Sequence, residues 1–195
     1  MKKIKVITFK GCQPAIDFRN QFEDMIDSEN LDAEIEMTFV PAPEKAKEMG
    51  LFGSPTILID GVDVQQKRRG PTDFYCRACL TAEGFRPYPL INEMVAMLQG
   101  KEIPPPKTIV GSIESFPTLV LGDWCPFTLT ATDLWKEAAN AVGLSLEIVQ
   151  AKSEEGEKVM VEADVAGVPC LVTAPDRKFY GIHISPSNAK SFLKT

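Results

Sequence analysis

The sequence predicts an α/β protein made of two units in tandem, each a mixed central sheet flanked by helices. Three observations predict it. Short β-rich runs alternate with helical patterns on both sides of residue 104. Residues 100–107 read GKEIPPPK, and three consecutive prolines cannot lie inside a helix but favour a stiff, extended connection. The order β-α-β-α-β-β-α occurs twice at matched spacing. Cys12 and Pro55 are 43 positions apart, and Cys125 and Pro169 are 44 apart. The expected units are residues 1–100, with a cysteine-containing insertion at 65–87, and 108–195. A proline-rich linker at 101–107 joins them.

In the first unit, residues 3–9 form a β-rich run. After Gly11-Cys12-Gln13-Pro14, a helix is expected with Ile16, Phe22, Met25 and Ile26 on one side. Pro14 suits its first turn, where a missing N–H does no harm. Ala33, Ile35, Met37 and Phe39 alternate with polar residues, the pattern of a half-buried strand. Residues 43–49 suggest a short helix. Gly53-Ser54-Pro55 precedes a strand at 56–59, and Asp60-Gly61 signals a hairpin. Residues 65–87 read as irregular and polar, and a helix at 89–98 closes the unit.

In the second unit, a strand is expected at 116–121. After Asp123-Trp124-Cys125-Pro126-Phe127 comes a helix carrying Leu129, Leu134, Trp135, Ala138 and Val142, capped by Gly143. A strand at 144–149 and a helix at 155–164 follow. Gly167-Val168-Pro169 leads into a strand at 170–173. A turn at 175–178, a strand at 179–184 and a helix at 187–193 end the chain. His183 would lie in that last strand. The acidic run from Ser153 to Glu157 reads as a solvated helix start, where acids suit the dipole. Trp124 and Trp135 read as core and site wall.

Composition narrows the function. The chain has 195 residues, 44% of them apolar, enough for a real core without a disulfide framework. The net charge of −6 argues against nucleic acid as partner. One His makes a His-rich metal site or a Ser/His or Cys/His relay implausible. No apolar run approaches the ~20 residues that span a bilayer, and Lys5 and Lys10 interrupt any signal-peptide core. The expectation is a cytoplasmic protein with no membrane partner. Five cysteines, an odd and modest number, fit a reduced compartment. Gly61 and Gly181 read as turn and strand-bend glycines rather than phosphate cradles, and no cofactor is implied.

The motifs resemble the thioredoxin-like superfamily. Trp124-Cys125-Pro126-Phe127-Thr128 is similar to a WCxxC site with Thr in place of the second Cys, and Val168-Pro169 resembles that fold's cis-proline segment. Gly11-Cys12-Gln13-Pro14-Ala15, with Gly53-Ser54-Pro55-Thr56 and Ile59-Asp60-Gly61, resembles small thioredoxin-like proteins often grouped with mercury-handling genes. Two such domains in tandem are similar to the two-domain protein disulfide oxidoreductases, although both sites here lack the intact CxxC. The resemblance implies two thioredoxin-like domains. It also implies a peptide-binding edge formed by Ser54 and Pro55 in one and by Trp124, Val168 and Pro169 in the other.

The chemistry follows from thiols. A cysteine at a helix start faces unpaired N–H groups and the positive end of the helix dipole, which lower its pKa, and the thiolate is the nucleophile in disulfide exchange. Cys12 and Cys125 are the candidates, but Ala15 and Thr128 stand where a resolving cysteine would be. Cys170, directly after Pro169, could pair with Cys125. Cys76-Arg77-Ala78-Cys79 is the only CxxC and could resolve Cys12, with Arg68, Arg69, Arg77 and Arg86 nearby in sequence to favour thiolates. Three readings remain. One is a thiol–disulfide oxidoreductase acting on a protein or small-molecule disulfide. Another is a soft-metal or organometal binder using Cys12, Cys76 and Cys79, with mercury, cuprous copper or trigonal zinc as ligand. The third is a non-catalytic scaffold.

Overall fold

A computed structural model describes residues 1–113 and 116–194. In the first half, β1 (Lys2–Phe9) leads through α1 (Gln13–Ser28) to β2 (Ala33–Val40). A 3₁₀ turn at Pro43–Lys45 runs into α2 (Ala46–Met49), and then come β3 (Phe52–Ser54), β4 (Thr56–Ile59) and β5 (Val62–Asp63). β1 pairs parallel with β2 and antiparallel with β4, and β4 pairs antiparallel with β5, in the order β2-β1-β4-β5. The parallel pair requires a crossover, and α1 supplies it. Pro14, Ala15, Phe18 and Phe22 form the buried face of α1, whereas Ile16 is 42% exposed. One of the four expected positions therefore differs, because Phe18 rather than Ile16 completes the stripe with Phe22. Asp60 and Gly61 both adopt positive φ, the requirement of a type I′ hairpin. The Asp60 carboxylate also binds the Lys3 amide and Lys2, pinning the hairpin to β1. On β2 the alternation weakens at its end, leaving Phe39 exposed and Val40 buried.

The insertion is not irregular. It contains β6 (Asp73–Arg77), β7 (Cys79–Thr81) and β8 (Gly84–Arg86), followed by α3 (Ile91–Gln99). β7 and β8 form a hairpin, and the Glu93 carboxylate accepts from the Ala82 and Leu90 amides, tying that hairpin to α3. The segment reads as polar because Arg68, Arg69 and Arg77 are spent on specific buried or half-buried bonds rather than on solvent.

The second half runs β9 (Thr118–Leu121), α4 (Thr128–Val142), β10 (Glu147–Gln150), α5 (Glu154–Glu162), β11 (Gly167–Val168), β12 (Cys170–Ala174), β13 (Arg177–Tyr180) and α6 (Pro186–Lys194). Its sheet order, β10-β9-β12-β13, repeats the first sheet strand for strand, with the same parallel and antiparallel pairings. β13 ends at Tyr180, so His183 lies beyond the strand, exposed and edge-on to Phe74 and Phe127. Ser153 caps α5 by accepting from the Gly156 amide. Glu157, expected in solvent, is buried and pairs with Lys107 at 2.7 Å. The segment from Lys101 to Pro117 has no helix or strand among its described residues, and the Lys107 amide bonds the Thr81 carbonyl. No helix among the described residues is long and apolar enough to cross a membrane.

A third sheet, β11-β6-β3, joins the halves. β6 lies between the segments that precede Pro55 and Pro169, and Cys76 is in register with Ser54 on one side and Val168 on the other. Both prolines follow cis peptide bonds, as does Pro117. Gly53 and Gly167 explain the close approach. A Cβ at either position would meet the Tyr75 ring at 2.4 Å, so only glycine lets the ring pass between them. One hydrophobic cluster, including Ile4, Phe18, Tyr75, Val120, Val168 and Tyr180, spans both halves. Behind the second sheet, Trp135 anchors a separate cluster with Leu119, Leu171 and Leu193. Arg68 adds polar bonds across the seam, donating to the carbonyls of Met160 and Val165.

Candidate functional site

Three cysteines from three distant segments meet at this seam. Cys12 is the N-cap of α1, with extended backbone and no capping bond from its own side chain. The hydroxyls of Ser54 and Thr8 and the Ala15 amide act on its thiol and favour the thiolate. Those two hydroxyls lie 2.7 Å apart and bond each other. Cys76 arrives on β6 in register with Val168, and its thiol interacts electrostatically with that of Cys125. Cys125 stands three residues before α4, and its thiol donates to the Val168 carbonyl at 3.5 Å. Cys12 also interacts electrostatically with both other thiols. All three are buried: Cys12 is 1% exposed, Cys76 0% and Cys125 6%.

Burial decides the resting protonation. The helix start was expected to depress the Cys12 pKa. Desolvation outweighs it and pushes the thiol up, while Ser54, Ala15 and Thr8 pull it back part of the way. Cys76 is pushed well above the ordinary thiol range, first by desolvation and then by Cys125. The resting Cys12 and Cys76 are thus neutral thiols, and the donors around Cys12 are ready to hold a thiolate once the site opens.

Cys79 lies elsewhere. It is buried at the start of β7, where desolvation pushes its pKa up to about 12, opposed by Arg77 and reinforced by Asp63 and Glu93. Its neighbour Arg77 is fully buried and paired with Asp63 at 3.0 Å, and Asp63 also holds Arg69 at 2.9 Å. The CxxC is therefore split: Cys76 joins the helix-start thiols, and Cys79 sits beside a buried ion pair. Cys170 is buried on β12, with its thiol directed at the Leu171 carbonyl and its pKa raised by desolvation. All five cysteines are free. Among the described residues, no group of three or more His, Cys, Asp or Glu side chains is arranged to hold a metal ion.

The remaining expected residues frame the cluster. Ser54 contributes a hydroxyl, and Pro55 turns the chain from β3 into β4. Val168 contributes its carbonyl, and Pro169 turns β11 into β12. Trp124 is half-buried under Lys152, 4.9 Å from its ring centroid, with an unpaired indole nitrogen. Thr128 is structural: its hydroxyl donates to the Gly122 carbonyl at 2.7 Å, closing the turn that carries Cys125. Phe9 packs on Phe74 at 4.9 Å and on Phe127 at 5.2 Å, so aromatic rings from both halves and β6 meet beside the thiols.

The sequence reading missed Thr8 and Tyr75. Thr8 has no motif, only its place at the end of the strand that leads into Cys12. Tyr75 could have been suspected from the glycines of both Gly-x-Pro segments, which ask for a bulky neighbour. A cavity of about 640 Å³, lined in part by Val62, Arg68, Leu80, Met97 and Ile103, lies beside β5 and the connecting segment, and no cysteine lines it. Compared with known proteins, the chain finds no matching family model, no matching curated protein and no matching solved structure.

Proposed function

We propose that the chain is two thioredoxin-like domains in tandem, acting as a thiol–disulfide oxidoreductase on a protein or small-molecule disulfide in a reducing, cytoplasmic setting. The convergence of Cys12, Cys76 and Cys125 on one point of the seam carries this reading. Their separation in sequence makes the meeting a product of the fold rather than of local spacing. Cys12 is the attacking thiol, because Ser54, Thr8 and the Ala15 amide are the donors that stabilise its thiolate. Cys76 is the resolving thiol. Cys79 has no direct part, since its interactions are with Arg77, Asp63, Glu93 and Arg68. Displacement of β6 is the simplest opening that admits a substrate. The metal reading with Cys12, Cys76 and Cys79 loses support because those three do not gather, and the scaffold reading leaves the meeting of thiols without a role.

The test is catalytic reduction of a small aromatic disulfide with reduced glutathione as donor. The wild type should accelerate it, and Cys12→Ser should lower the rate by about tenfold or more. Cys79→Ser and Cys170→Ser should stay near wild type. A wild-type protein no faster than free cysteine would overturn the reading.

A further inference from the structure

We infer that Cys76 and Cys125 are a redox pair, forming on oxidation a disulfide that ties the β6 strand of the first half to the helix-start loop of the second. The inference deepens the oxidoreductase reading and rests on it. Three geometric facts carry it. Cys76 is the cross-strand partner of Val168. The carbonyl of that same Val168 accepts the Cys125 thiol at 3.5 Å. Both cysteines are buried in one shared core cluster. Spacing in the chain suggested neither partner, because it pointed Cys76 to Cys12 and Cys125 to Cys170.

The exchange balances without an added oxidant beyond the substrate disulfide, R–S–S–R. The Cys12 thiolate attacks one sulfur, forming Cys12–S–S–R and releasing RS⁻. The Cys76 thiolate then attacks the Cys12 sulfur and releases the second RS⁻. The Cys125 thiolate attacks the Cys76 sulfur, forming the Cys76–Cys125 bond and freeing Cys12. Two electrons pass from Cys76 and Cys125 to the substrate, and their two protons end on two RSH. Cys12 is thereby restored as a thiol while the protein stays oxidised, with its two halves covalently joined. β6 then cannot leave the seam, so the oxidised protein is closed until a reductant opens it.

The experiment oxidises the full chain with glutathione disulfide, quenches it with acid, alkylates free thiols and maps disulfides by mass spectrometry after proteolysis. A Cys79→Ser/Cys170→Ser variant is run beside the wild type, to leave only the three seam thiols. The expected product is a Cys76–Cys125 linked peptide lacking two hydrogens, with Cys12 alkylated. A stable Cys12–Cys76 or Cys125–Cys170 bond as end product overturns the pair and leaves the oxidoreductase reading standing. Turnover with no internal disulfide does the same. A Cys76–Cys125 bond in a protein without turnover supports the pair and removes the catalytic reading.

Discussion

Cys12 and Cys125 occupy matching places in two sheets of identical strand order, yet their surroundings differ in kind. Cys12 is itself the cap of its helix, and its thiol faces donors: two hydroxyls and an amide. Cys125 stands three residues ahead of its helix and faces an acceptor, the Val168 carbonyl, and the thiol of Cys76. The third position after each also differs, Ala15 being buried in α1 and Thr128 closing the Cys125 turn. The shared topology brings both thiols to the seam, and the local donors and acceptors then divide their roles. A donor-lined thiol suits attack. A thiol that shares Val168 with a strand-held partner suits closure of a disulfide.

The seam is common to both sites, so the largest effect comes from removing its keystone. Tyr75 is fully buried between Gly53 and Gly167 and packs on Tyr180 at 4.8 Å. Tyr75→Ala should cost about 3–5 kcal/mol, as large aromatic truncations in cores do, measured by urea denaturation. It should also speed native-state alkylation of Cys12 and Cys125 together. Acceleration at one thiol alone would mean that β6 guards only one of the two sites.

A change of pH comes next. Desolvation raises the pKa of Cys12, Cys76, Cys79 and Cys170 in the folded chain, that of Cys79 to about 12. An unfolded thiol titrates near about 8.5. Between those values the unfolded chain has lost a proton that the native chain keeps, so stability falls as pH rises. Urea midpoints should be flat below about pH 8 and decline from about pH 9 toward 12. Cys79→Ala should flatten that decline. An alkaline limb unchanged by the substitution would show that Cys79 is not the protonated group responsible.

The succession of strands and helices outside the insertion was legible because hydrophobic alternation, Asp60-Gly61 and the two Gly-x-Pro segments are local signals. The seam was not. β6 carries Phe74, Tyr75, Cys76 and Arg77 among charged neighbours, and what makes it a strand is pairing with β3 and β11, segments distant in the chain. Arg77 was expected to favour thiolates of the CxxC, but its partner is Asp63, across a fold that sequence spacing does not disclose. The same limit explains the thiols. Cys12 and Cys125 were found by their helix starts, whereas the partition of Cys76 from Cys79 depends on Cys76 lying on β6, paired with β3 and β11, and Cys79 on β7, paired with β8. The dipole argument for Cys12 had the right sign for its donors, but burial proved the larger effect.

Thr128 tests the scaffold of the second site more gently. Thr128→Val keeps the shape and removes the bond to the Gly122 carbonyl, an expected loss of about 1 kcal/mol in denaturation. The Cys12 chemistry should be untouched, because among the described residues no bond joins that turn to Thr8 or Ser54. A matching loss of Cys12 reactivity would couple the two sites through their turns instead of through β6.

The smallest and sharpest contrast is Ser54→Ala. It removes one of two hydroxyls on the Cys12 thiol and leaves the partner hydroxyl of Thr8 in place. A neutral hydrogen bond contributes about 0.5–1.5 kcal/mol, which corresponds to a roughly two- to tenfold smaller thiolate population at Cys12. Iodoacetamide alkylation followed by peptide mapping should therefore slow at Cys12 by that factor, after correction for any change in opening measured by hydrogen exchange. Cys125 should react at its wild-type rate, because its own bond goes to Val168 and not to either hydroxyl. Equal slowing at both thiols would place the effect in the opening of the seam. The asymmetry between a donor-lined and an acceptor-facing thiol would then no longer explain their division of roles.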